Sequence, residues 1–229
     1  RELAPLPEVR WARWGLYALG LVVLLVVPSL LSVSQLSILG TVTVTYAMVG
    51  VSLVILTGWA GQLSLGQFAI AAIGAVAAAN MLEHRVDLIF VLFGSAAAGG
   101  VASLVVGLPA LRVKGLYLGV TTLALAVAMS SYFLNPAYFP HWLPQSVARP
   151  VAFTRFDLTD EKTLYYLAVG LLVLALVCAR GIKSARAGRV MVAVRDNEPA
   201  AQARGVPTTG VKLMAFVVAG VFAGLAGAI

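Results

Sequence analysis

The chain has 229 residues, of which 61% are hydrophobic and only 11% charged. Its mean hydropathy is +0.96. Soluble domains carry about a quarter charged residues, so this chain cannot clothe a water-facing surface and is read as embedded in lipid. The net charge of +7 is not gathered on a soluble basic face, which argues against nucleic-acid binding; it is read as the Lys and Arg excess that holds loops in the cytoplasm.

Seven apolar stretches follow one another, at about 14–33, 36–57, 66–82, 88–108, 115–134, 164–181 and 211–229. Most approach the roughly 20 residues that a helix needs to cross the hydrocarbon. Backbone polar groups in lipid must be satisfied within the segment, and no strand alternation suggests a barrel. The predicted fold is therefore all-α, a polytopic transmembrane bundle of about seven helices forming one domain over 1–229. The chain opens on Arg1 and stops at Ile229 within an apolar run, which reads as a C-terminally incomplete segment of a longer polypeptide.

If all seven stretches span, every one of the 16 Lys and Arg except Arg85, Arg149, Arg155 and Lys162 falls on one side. The positive-inside rule then places the N-terminus and the basic loop 182–210 in the cytoplasm. Segment 135–163 falls outside. Its Pro136, Pro140, Pro144 and Pro150 break regular structure, and Tyr138, Phe139, His141 and Trp142 suit the interface. It is read as an extracytoplasmic loop lying on the bilayer.

No acidic or basic residue lies well inside an apolar stretch, which leaves nothing for a carboxylate proton relay. No Walker-type phosphate loop occurs either, so ATP hydrolysis would need another chain. The single cysteine, Cys178, excludes an intrachain disulfide and a multi-cysteine metal site, and is read as a packing residue. No catalytic residue, metal site or cofactor is predicted. Small residues spaced four apart, Gly74 and Ala78, Ala96 and Gly100, Gly220 and Gly224, are read as close helix packing inside the bundle.

Two polar segments carry the functional expectation. The first, Thr57–Gln67, holds Gly58, Gly61 and Gly66 with Gln62, Ser64 and Gln67, and no charge. Irregular backbone at membrane depth is tolerated where it is buried in protein or lines a cavity. Gly61, Gln62, Ser64 and Gln67 are thus candidates for a translocation path; a tight turn with close-packing glycines is the competing reading. The second lies within 190–206. Asp196 or Asn197 can cap a helix, Pro199 suits its first turn, Gly205 can end it left-handed and Pro207 prevents its continuation. A helix of about two turns is marginal alone in water and needs something to rest against.

These words resemble a known family. Glu198, Ala200, Ala201 and Gly205 are similar to the Glu-Ala-Ala…Gly loop of ABC-importer permeases, with Pro199 as a departure. Arg195-Asp196-Asn197-Glu198, the segment Gly58–Gln67 and Lys114-Gly115-Leu116-Tyr117-Leu118 resemble, in order and spacing, the branched-chain amino-acid permeases of the LivM type. The resemblance implies the ABC-importer permease fold and import of leucine, isoleucine and valine. It implies a sister permease, two ABC ATPase subunits and an extracytoplasmic substrate-binding protein as partners, in a bacterial or archaeal plasma membrane. Arg195, Asp196, Asn197, Glu198, Ala200, Ala201 and Gly205 would couple the chain to its ATPase, with Arg195 and Glu198 making cross-subunit contacts. Close relatives carry urea or short amides; an ion-coupled carrier is the reading from another class.

Overall fold

The computed structural model describes residues 42–110, 116–135 and 161–229 continuously, with residues 137–138, two short strands and isolated positions before residue 42. The first predicted stretch, 14–33, therefore lies largely outside the described residues. The other six appear as apolar helices. They are α1 (Val42–Leu53), prolonged by a π-helical turn over Val54–Trp59, α2 (Gln67–Glu83), α3 (Leu88–Ala110), α4 (Leu116–Ala128), prolonged by a π turn over Met129–Phe133, α5 (Glu161–Ser184), and, after two short helices, α8 (Thr208–Gly227). Val42–Trp59, Leu88–Pro109, Lys162–Ser184 and Thr208–Gly227 are long and apolar enough to cross a membrane; Gln67–Glu83 and Tyr117–Phe133 are apolar but shorter. The protein is an all-α, multi-pass membrane bundle, as predicted.

Segment 135–163 falls mostly outside the described residues. Within it, Val151–Ala152 (β1) pairs antiparallel with Phe156–Asp157 (β2), a two-stranded ribbon that the sequence reading did not anticipate.

Lipid tails are as apolar as leucine, so burial in oil does not drive these helices together; close van der Waals packing and hydrogen bonds do. The bundle is built accordingly around α8, which packs on α1, α2 and α3. Ala215, Phe216, Ala219 and Ala223 of α8 are fully buried. Backbone meets backbone at its glycines. A methyl built on Gly74 of α2 would stand 2.6 Å from the Gly224 Cα, and one on Gly99 of α3 would stand 2.7 Å from that same atom. A methyl on Gly220 would collide with the Ser103 side chain. The small-residue stripes are thus spent inside the bundle, as the sequence spacing suggested.

The outer faces carry large apolar side chains to the surface, among them Phe90, Phe93, Val101 and Val105 of α3 and Leu174 and Val177 of α5. Cys178 belongs to that outer face. It is exposed, so its reading as a packing residue is corrected: its neighbours Ala175 and Ala179 turn to the core instead. The buried polar residues are Ser52, Ser64, Gln67, Ser95, Ser103, Thr122 and Thr208; no charge enters the core among the described residues.

The packing at Gly224 sets a test. Gly224→Val would drive a branched side chain into the Ser95 carbonyl and Gly99, and overpacking of this kind costs about 1–3 kcal/mol or more. Thermal unfolding in detergent is expected at a clearly lower temperature for Gly224→Val and unchanged for Gly170→Val, a position with nothing within 4 Å.

Candidate functional site

The two polar segments singled out in the sequence meet. Helix α1 does not stop where its α-pattern ends; it widens to a π turn at Val54–Trp59 and closes with Ala60 N–H donating to the Ile55 carbonyl at 3.3 Å. Such π turns recur at functional positions because they release carbonyls from the regular ladder. Residues 60–66 then run without regular structure to the start of α2. Gly61 sits at φ +68°, a left-handed conformation that glycine adopts without steric cost. The segment is pinned by side chains. Thr57 Oγ1 donates to the Gln62 carbonyl at 3.2 Å, Leu65 N–H to Thr122 Oγ1 of α4 at 3.0 Å, and Gly66 N–H to Ser64 Oγ at 3.3 Å.

Of the four predicted path residues, Ser64 lines a cleft. A cleft of about 520 Å³ is lined by Leu53, Val54, Thr57, Gly58, Leu63, Ser64, Leu65 and Gly119. Its walls are mainly apolar. Gln62 turns back on its own segment, its Nε2 donating to the Ala60 carbonyl at 3.3 Å. Gln67 is 1% exposed and faces Ser52 of α1. Ser52 Oγ lies 2.7 Å from the Ala219 carbonyl of α8 and 3.0 Å from Gln67 Oε1. One hydroxyl hydrogen serves one acceptor well, and the carbonyl is nearer. The Gln67 amide turned over, with Nε2 donating to Ser52 Oγ, satisfies all three groups. It also gives a partner to Nε2, which otherwise has none. Gln67 therefore ties α2 to α1 and, through Ser52, to α8. Gly61 is occupied from the other side: a methyl there would stand 2.6 Å from Arg195 Cγ.

Segment 182–210 was read as a loop holding one short helix. It holds two. Helix α5 runs to Ser184, α6 spans Arg186–Asp196, and α7 spans Glu198–Ala203. Helix α6 escaped the sequence reading because its apolar side is only one stripe. Gly188, Met191 and Val194 are buried while its arginines stay outside, the spacing of an amphipathic surface helix. Gly188 lets α6 turn back closely on α5: a methyl there would stand 2.5 Å from the Lys183 Cα.

Helix α7 forms as expected from its caps. Asn197, not Asp196, is the N-cap, its Oδ1 accepting from Ala200 N–H at 3.0 Å, with Pro199 in the first turn. Gly205 at φ +79° ends it, and Val206 N–H closes on the Ala201 carbonyl at 3.1 Å. Ala201 is the buried side of this helix, and Ala200, Gln202, Ala203 and Arg204 are exposed. Two ion pairs frame it. Asp196 Oδ1 accepts from Arg195 Nε at 3.0 Å and from its Nη2 at 2.8 Å. Lys212 of α8 donates to Glu198 Oε1 at 2.6 Å, with side chains only 15% and 34% exposed. Arg195 and Glu198, expected to reach across to another subunit, thus both bind within the chain. The Arg195 guanidinium also donates to the Gly58 carbonyl. The sequence held no signal for the Glu198–Lys212 and Arg195–Gly58 contacts, because Lys212 and Gly58 lie on other helices.

A lipid-facing bundle, interrupted where its polar groups gather, has the architecture of a multi-pass membrane permease. The chain matches the family described as branched-chain amino acid transport system / permease component over residues 35–229, and it belongs to that family. It is 30% identical to the high-affinity branched-chain amino acid transport system permease protein LivM of Salmonella typhimurium, over 82% of this chain and 50% of that one. Against the LivM protein of Escherichia coli the identity is 29%, with the same coverage. The chain spans about half the length of the curated relatives it matches. No solved structure matches it.

The caps of α7 give a second test. Losing an N-cap costs about 1 kcal/mol, and forcing an L-residue into the left-handed region costs roughly as much. Asn197→Ala and Gly205→Ala are each expected to speed hydrogen exchange of the α7 amides roughly fivefold, since local opening scales with that free energy, with the amides of α8 unchanged.

Proposed function

We propose that this chain is a membrane-spanning permease subunit of an ATP-driven importer for branched-chain amino acids. It would form the translocation path with a sister permease, two ABC ATPase chains would supply the energy, and an extracytoplasmic binding protein would deliver leucine, isoleucine or valine. Family membership and the likeness to the LivM proteins support the substrate class. The observation that carries the coupling is helix α7 itself. It is a six-residue helix capped at both ends, held to the bundle by Ala201 and the Glu198–Lys212 pair, with its opposite side exposed. A helix this short persists only when something holds it, and its exposed side offers a rigid surface to a soluble partner.

In this reading the N-terminus and 182–210 are cytoplasmic, 135–163 is extracytoplasmic, and 1–229 is part of one permease domain in a bacterial or archaeal plasma membrane. Asn197 and Gly205 shape α7, Ala201 and Glu198 seat it, and Ala200 with the exposed side chains beside it meets the ATPase. Closure of the ATPase pair would move α7, and the bundle would respond as a two-state element. Ser64 is the path residue that the cleft favours. Gln67 serves the packing of α1, α2 and α8.

Uptake of labelled leucine by cells holding the complete system is expected to stop when ATP is depleted, to continue when ion gradients are collapsed with ATP kept, and to be competed by valine. Loss on collapsing the gradients would point to a secondary carrier. ATP-dependent cells that ignore leucine would move the substrate to urea or short amides.

Glu198→Arg is expected to abolish uptake with the protein still in the membrane, because it faces Lys212 with a second cation. The exchange Glu198→Lys with Lys212→Glu restores the intrachain pair. It too is expected to leave the protein in the membrane without uptake, as the carboxylate is lost from the exposed side of the pair. Full recovery of uptake would confine Glu198 to an internal role.

A further inference from the structure

The geometry points to Arg195 as an internal strut between helix α7 and the wall of the cleft, a positioning residue rather than a contact to the ATPase. This rests on the reading of α7 as the coupling helix. Arg195 lies in the last turn of α6, two residues before the cap of α7. Its guanidinium donates to the Gly58 carbonyl, and Gly58 is part of the cleft wall. Its alkyl stem lies over Gly61, so closely that a methyl there would meet Arg195 Cγ at 2.6 Å.

The strut is held at both ends. Asp196 Oδ1 accepts from two guanidinium nitrogens, at 3.0 and 2.8 Å, which orients the planar guanidinium. At the far end the helix stops at Trp59, and Gln62 N–H closes on the Leu56 carbonyl, so the Gly58 carbonyl in the last turn is open to a side-chain donor. A second cation braces the same turn: Lys183, at the end of α5, stands 5.9 Å from the Trp59 ring centroid, within the range of a cation–π contact. A displacement of α7 passes through Asn197 and Asp196 to Arg195, and from there to Gly58 and Gly61. The break between α1 and α2 then moves with α7, and the cleft changes shape.

The test uses the complete importer, with its sister permease, ATPase chains and binding protein, reconstituted in liposomes. For Arg195→Ala the complex is expected to assemble and hydrolyse ATP within about twofold of the unmodified complex, while leucine uptake per ATP falls at least tenfold. Arg195→Lys keeps a donor for Gly58 but loses the fork to Asp196, and is expected to fall between the two. A substrate-independent readout is the maleimide alkylation rate of Ser64→Cys in a Cys178→Ser background. Addition of ATP is expected to change that rate, and the change is expected to vanish with Arg195→Ala although hydrolysis persists.

Parallel loss of hydrolysis and uptake in Arg195→Ala would overturn the strut in favour of direct ATPase contact. Unchanged coupling would overturn it as well. If Arg195→Ala does not assemble, Arg195→Lys decides, and wild-type coupling in that variant counts against the strut. Failure of the unmodified complex to take up leucine would instead count against the importer reading, and the alkylation rates would still report on Arg195.

Discussion

The structure depends on how closely three helices can approach one another at Gly224. This residue of α8 faces Gly74 of α2 and Gly99 of α3, with no room for a methyl at either contact. In lipid, helices gain nothing by hiding apolar surface from a solvent that is itself apolar. What holds them is contact area and the hydrogen bonds that close approach permits. Glycine brings backbones near enough for many small dispersion contacts to sum. With α8 seated this deeply, Ala219 comes within reach of Ser52, and Ser52 in turn reaches Gln67. The buried polar tie between α1, α2 and α8 follows from the glycine contact.

The same placement of α8 governs the polar end of the bundle. Lys212 sits just inside its first turns and meets Glu198 of α7, so the short helix is docked on the helix around which α1, α2 and α3 pack. Helix α6 bridges from α5 to the π turn, and its Arg195 donates to the Gly58 carbonyl of that turn. The charged region is thus not a loose loop that happens to be basic. It is a second layer of helices, seated through the partly buried Glu198–Lys212 pair, with α6 turning its arginines outward and α7 exposing Ala200, Gln202, Ala203 and Arg204.

Much of this is legible in the sequence. Apolar run length is set by bilayer thickness, so six apolar stretches could be placed within a few residues of their helices. The caps of α7 were legible for a different reason. Asn197, Pro199 and Gly205 act on their own backbone, and local chemistry is written locally. Helix α6 was missed because a stripe of Gly188, Met191 and Val194 among arginines looks like polar loop unless one knows what lies beneath it. Cys178 was misplaced for the same kind of reason: within an apolar run, the sequence does not distinguish the face toward lipid from the face toward protein, since both are apolar.

The sequence alone determined that the protein lives in a membrane, that it is helical, where its apolar helices run, and that its polar chemistry gathers in two short segments. Each of these follows from the cost of exposing backbone or charge to hydrocarbon, a property of each residue and its near neighbours. Only the tertiary structure decided that the two segments touch, that Arg195 and Glu198 find partners within the chain, and that Gln67 binds helices together while Ser64 faces the cleft. Those outcomes depend on which helix faces lie against one another, and that is settled by three-dimensional packing of residues far apart in the chain.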